Sequence, residues 1–214
     1  MTTATDLRSP GRLLAATLAL CLALTIAGCS LSRPAPQKAA FLIDPPAPAA
    51  VDRTDSATLR IGAVGVAAPY RGKAFVRRTS ALAYEVDFYS EFLVAPAAMI
   101  GEATARGLER AGVFAKVVPP GALPEGDWSL DAFVATLHAD LREPAKPVAE
   151  MEVTYFLTRN DGVSLTPVWS RDYRSRIPIA EATAEGYARA LSAALGEILA
   201  ELARDLEQAT ARAR

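Results

Sequence analysis

The 214-residue chain predicts an α+β fold: a single domain in which a mostly antiparallel or mixed β-sheet is packed by two main helices, about 96–111 and 181–209. Three observations predict it. Two segments place apolar residues at helical spacing, and several others carry β-type residues or alternate apolar with polar positions. No internal repeat divides the chain.

The N-terminus reads as a targeting segment. Arg8 and Arg12 precede an uncharged run from Leu13 to Ala27. As a helix that run reaches about 22 Å, short of the roughly 30 Å hydrocarbon core and right for a secretory signal. Ile26-Ala27-Gly28-Cys29 then resembles the bacterial lipobox, with Ile26 in the place usually held by Leu. That resemblance implies cleavage of residues 1–28 and acylation of Cys29. Two or three acyl chains anchor stably where one binds only marginally. Ser30 is not the Asp associated with inner-membrane retention, so the resemblance implies the inner leaflet of the outer membrane, with the domain facing the periplasm. Cys21 lies inside the apolar run and is lost with it.

Residues 29–50 form the lipidated Cys and a tether. "LSRPAPQKAAFLIDPPAPAA" holds five prolines and favours extended backbone of about 3.1 Å per residue. Its apolar "FLID" (41–44) reads either as a short edge strand or as more linker. The domain proper is expected over 51–209, with 210–214 as a tail.

Within the domain, "TLRIGAVGVA" (58–67) predicts a strand whose two glycines mark a bend or a close approach by other backbone. "AFVRRTS" and "ALAYEVDFYSEFLV" predict two more. In the second, Leu82, Tyr84, Val86, Phe88, Phe92 and Val94 share one parity, as for a strand half-buried on a core. Pro96 suits a first helical turn, and Ile100, Ala103, Leu108 and Ala111 follow at helical spacing. Gly112 is placed as the left-handed stop. "VFAKVV" predicts a short strand before the turn-rich "PPGALPEGD". Three strands follow at about 128–142, 149–159 and 166–178. The middle one alternates Met151, Val153, Tyr155 and Leu157 with polar positions, and "NDG" (160–162) marks its hairpin. The last helix has an apolar stripe of Tyr187, Leu191, Leu195, Ile198, Leu202 and Leu206, with Glu185–Arg189 and Glu201–Arg204 as surface pairs.

Composition excludes several kinds of chemistry. Lys and Arg number 23 against 24 Asp and Glu, which gives no basic excess for nucleic acid. The only histidine is His138, and no thiol remains once Cys29 is acylated, so metal sites and His- or Cys-dependent catalysis lack parts and no cofactor is expected. A phosphate loop is absent and "GAVGVAAPYRG" lacks dinucleotide spacing. One enzymatic alternative stays open, an envelope hydrolase using a carboxylate pair from Glu85, Asp87, Glu150 and Glu152. Basic character gathers at Arg77 and Arg78 and again at Arg171, Arg174 and Arg176. These read as solvated charges or as contacts to an acidic partner or anionic head groups.

The order of these pieces resembles the ABC-type transport auxiliary lipoprotein family. The resemblance rests on lipobox, proline tether, "FLID", "LRIGAVGV", Tyr89, Phe92 and Pro96 leading into the first helix, a three-strand meander and the Tyr187-led last helix. The Trp often found ahead of the first helix is absent. Such a resemblance implies a non-enzymatic accessory component of an intermembrane lipid-transport system. Its partners would be a mammalian-cell-entry type substrate-binding protein and an ABC permease and ATPase, with a ring-forming homo-oligomer as one form of assembly. A lipoprotein of another assembly or secretion apparatus would obey the same anchor-and-tether physics.

Overall fold

Met151, Val153, Tyr155 and Leu157 set the centre of the molecule: all four are at most 1% exposed, and the residues between them face outward or half outward. The computed structural model describes residues 37–122 and 125–213. Cys29, the lipobox and the first part of the tether lie outside these residues. In chain order the elements are β1 (Ala39–Phe41), β2 (Asp55–Val66), a 3-10 turn (Ala68–Tyr70), β3 (Ala74–Arg78), β4 (Tyr84–Phe92) and α1 (Pro96–Ala111). There follow β5 (Phe114–Val118), β6 (Trp128–Asp140), β7 (Val148–Asn160), β8 (Leu165–Pro178) and α2 (Ala184–Arg212).

The strands make one eight-stranded mixed sheet, confirming the α+β class. β6, β7 and β8 are the antiparallel meander. The other edge of β6 is shared: β2 pairs with its first half and β3 with Ala139 and Asp140, both parallel. β5 then flanks β2, and β4 flanks β3. "FLID" docks: β1 pairs parallel with β4, opposite Ser90–Phe92, and Ile43 is buried.

Both helices lie on one face. α1 covers β2 and β5, α2 covers β7 and β8, and Leu199 of α2 meets Gly107 of α1. Thr104 of α1 shares a buried 2.9 Å hydrogen bond with Tyr155 of β7. Pro96 opens α1, and Gly112 ends it at φ 68°. α2 starts at Ala184 and not at about 181, because the Thr183 side chain accepts the Gly186 N–H and fixes the first turn there. It continues to Arg212, since neither Gly nor Pro follows Gly196 to end it earlier. Leu191, Leu195, Ile198, Leu202 and Leu206 are at most 2% exposed, each contributing about 1.5–3 kcal/mol by leaving water. Glu185 and Arg189 pair at 2.9 Å.

Two irregularities re-aim side chains. A bulge in β6 between Val134 and Thr136 switches its inward parity from Leu130, Ala132 and Val134 to Leu137 and Ala139. His138 and Asp140 thereby turn to the face without helices. In β2 the register shifts between Ile61 and Val64. There Asp131 Oδ1 accepts the Ala63 N–H at 2.7 Å, and a Cβ on Gly62 would collide with that same oxygen. The close approach expected at these glycines is thus made by side chains, Asp131 at Gly62 and Phe133 at Gly65.

The alternation of β4 does not mark a core face. Phe92 is buried, but Leu82, Tyr84, Val86, Phe88 and Val94 are 42–93% exposed. The reason is the face: Tyr84 and Val86 stand opposite Arg78 and Val76 of β3, and so lie with Arg78 on the side of the sheet that carries no helix.

Candidate partner-binding surface

The five arginines singled out by sequence divide between the two faces. Arg174 and Arg176 alternate with Tyr173 and Ser175 on β8 and so face away from the helices. Arg174 donates to Glu150 from Nε at 2.9 Å and also from Nη2. Arg176 reaches Glu150 Oε2 at 3.4 Å and Asp140 Oδ2 at 3.2 Å. Asp140 also takes Arg142, Nε to Oδ1 at 2.8 Å and Nη2 to Oδ2 at 2.5 Å. Arg78 is opposite Asp140 in register and lies 5.6 Å from the Tyr84 ring centre. These residues form one cluster, to which Arg142 is an addition the sequence did not flag. Arg77 and Arg171 are elsewhere. Arg171 pairs with Asp205 of α2 at 2.6 Å, beside the Tyr173 hydroxyl, which donates to the same oxygen at 2.5 Å. Arg77 pairs with Asp87.

Buried beneath the cluster is His138, 3% exposed and opposite Glu150 across the β6–β7 ladder. Its Nδ1 is 3.1 Å from the Tyr70 hydroxyl, and Tyr84 meets its ring edge-on. Burial pushes the imidazole below its ordinary pKa, against the opposing pull of Glu150 and Asp140. The hydrogen bond from Arg142 holds the Asp140 carboxyl well below the usual carboxylate range. Burial, helped by Tyr84, pushes Tyr70 up to about 12. This is a neutral histidine under charge-compensated carboxylates.

That arrangement does not assemble a carboxylate pair across a cleft. Glu85 and Asp87 are on β4, Glu150 and Glu152 on β7, with β3 and β6 between them. Three strand spacings are about 14 Å, against roughly 5–9.5 Å for paired glycosidase carboxyls. Asp87 and Glu150 are each bound by arginine, and Glu152 accepts from Thr136 at 3.3 Å. Among the described residues no group of His, Cys, Asp and Glu could hold a metal ion.

Next to the arginine cluster runs the apolar strip of β4, with Tyr84 as the shared boundary. Leu82 is 93%, Val86 67% and Phe88 71% exposed, and Lys38 lies over the Phe88 ring at 4.9 Å. An apolar strip rimmed by polar residues marks an interaction surface more often than scattered single exposures do. The surface can bind by burying β4 side chains and by presenting guanidinium donors. Arg78, Arg142, Arg174 and Arg176 face Asp140, Glu150 and Glu152 there, a narrow positive balance that favours an acidic counterpart.

No protein of curated function matches the sequence. Among solved structures, protein XCC0632 from Xanthomonas campestris superposes with a TM-score of 0.73 at 16% identity, covering 81% of this chain and 97% of that one. An uncharacterized protein gives 0.62 at 13% identity, covering 79% and 99%. At these identities the likeness is one of fold. No helix among the described residues is long and apolar enough to cross a membrane. The profile of one family, the ABC-type transport auxiliary lipoprotein component, matches residues 41–203, from β1 through most of α2. The chain belongs to that family of auxiliary components of ABC-type transport.

Proposed function

We propose that this chain is a lipid-anchored, non-enzymatic adaptor of an intermembrane lipid-transport system, acting in the periplasm from the inner leaflet of the outer membrane. Cys29, behind Ile26-Ala27-Gly28, carries the acyl chains, and the tether ahead of β1 sets the height of the domain. A mammalian-cell-entry type protein is the partner that docks, with the ABC permease and ATPase behind it in the same system. Family membership supports the transport role, and the positive balance of the arginine cluster supports an acidic protein counterpart. The observation that carries the reading is the exposed β4 strip beside that cluster, where Asp140 and Glu150 are already bound by arginine.

Two experiments test it. Cys29→Ala releases the protein from membranes and abolishes the transport phenotype; retention in the membrane fraction overturns the anchor. Leu82→Ser with Phe88→Ser leaves the domain folded, because both side chains are largely exposed, and prevents co-purification of the partner in detergent. Undiminished co-purification overturns the docking surface.

A further inference from the structure

On the helix-covered face, β3 and β6 run past the start of α2. A cavity of about 500 Å³ is left between Thr79, Leu141, the 144–147 loop and the first turn of that helix. Its volume is within the range of about 300–1,000 Å³ usual for ligand pockets. The wall is mostly apolar, with Phe75, Leu141, Pro144, Pro147 and Ile179 lining it.

Three polar features meet this apolar space. Tyr187 lines it, is 5% exposed, and its hydroxyl is buried with no hydrogen-bond partner among the described residues. An orphaned hydroxyl is costly to bury, and an oxygen of a bound molecule would satisfy it. Arg77 also lines the space. Asp87 fixes it: one carboxylate oxygen takes the Tyr89 and Ser90 N–H groups at 2.8 and 2.9 Å, and the other takes Arg77 Nη2. Nε and Nη1 of Arg77 keep their donors, since a guanidinium carries five. The third feature is the start of α2, where Ala182, Thr183 and Ala184 line the cavity and the helix presents its positive end.

An apolar pocket with a buried hydroxyl donor, a fixed guanidinium and a helix N-terminus fits one kind of molecule. We infer that this cavity binds a single acyl chain bearing an anionic head group, the chain packed against Phe75, Leu141 and Ile179. A carboxylate or phosphate head then takes hydrogen bonds from Tyr187 and Arg77. At about 30 Å³ per water-sized group, the space holds on the order of a dozen or more methylenes. The fatty acids and the monoacyl phospholipids share this chemistry. The inference does not depend on the adaptor role, which is read by membrane retention and co-purification and survives its failure.

The test is titration of the purified full-length chain with a fluorescent fatty acid, followed by displacement with palmitate, lysophosphatidylglycerol or uncharged monoacylglycerol. Saturable one-to-one binding is expected, with the two anionic competitors displacing the probe better than the uncharged one. Which of the two wins identifies the head group. Tyr187→Phe weakens binding about tenfold, the worth of one lost hydrogen bond, while leaving the thermal midpoint equal or higher because no internal bond is lost. Arg77→Gln removes the preference for anionic competitors. Ala182→Trp fills the exposed mouth and abolishes binding without touching the core. Absence of saturable binding, or binding unchanged by both Tyr187→Phe and Ala182→Trp, overturns the inference.

Discussion

Glu150 offers a test of how the arginine cluster is held together. Its side chain is 4% exposed, whereas Arg174 and Arg176 are 58% and 48% exposed. Desolvation therefore falls mainly on the carboxylate. Removing one partner of a buried pair costs about 3–5 kcal/mol when the survivor stays buried and uncompensated. In Glu150→Gln the survivors are two guanidiniums that regain water, and the amide oxygen still accepts one hydrogen bond. The expected loss is only about 1–2 kcal/mol. In Arg174→Gln with Arg176→Gln the survivor is the buried carboxylate itself, and the loss should reach about 3–5 kcal/mol. Urea unfolding of the three proteins at pH 7 reads the difference, with unchanged m-values showing that only stability moved. Equal losses, or a larger loss for Glu150→Gln, would refute the claim that burial of the carboxylate sets the energetics of this cluster.

Stability should fall in two steps as the medium is acidified. Folded His138 holds its proton less tightly than the unfolded chain does, so its contribution is complete above about pH 6.5 and declines below it. Asp140 is depressed in the folded state, so its contribution is present above about pH 3.9 and declines below that. His138→Asn should abolish the upper step in a pH series of denaturation midpoints, and a slope that persists contradicts the assignment. Gly112→Ala should cost about 1–2 kcal/mol, because φ 68° suits only glycine well and the site is otherwise roomy. Gly62→Ala should cost more than that, since the new Cβ displaces the Asp131 oxygen that holds the Ala63 N–H; a smaller loss by thermal melting would show that Asp131 moves aside freely. Tyr155→Phe should cost about 1 kcal/mol, because Thr104 keeps its 2.8 Å bond to the Ile100 carbonyl.

The sequence by itself determined the elements and much of the core. Period-two alternation in β7, the 3.6-residue stripe of α2, and Pro96 and Gly112 at the ends of α1 are local properties, fixed by side-chain direction and backbone dihedrals within a few residues. The tertiary structure decided which alternating strand would be covered. β4 carries the same signal as β7, yet its apolar side faces water because register places it on the face of the sheet without helices. It also decided the sites. The β6 bulge, which nothing in "VATLH" announces, turns His138 and Asp140 toward the arginines of β8, and register across three strands brings Arg142, Glu150 and Arg176 together. Tyr187 reads in sequence as one more member of a helix stripe. Only the staggered ends of α2, β3 and β6 open a space that Tyr187 lines. Local patterns encode how a segment folds; which neighbours it meets depends on contacts between residues far apart in the chain.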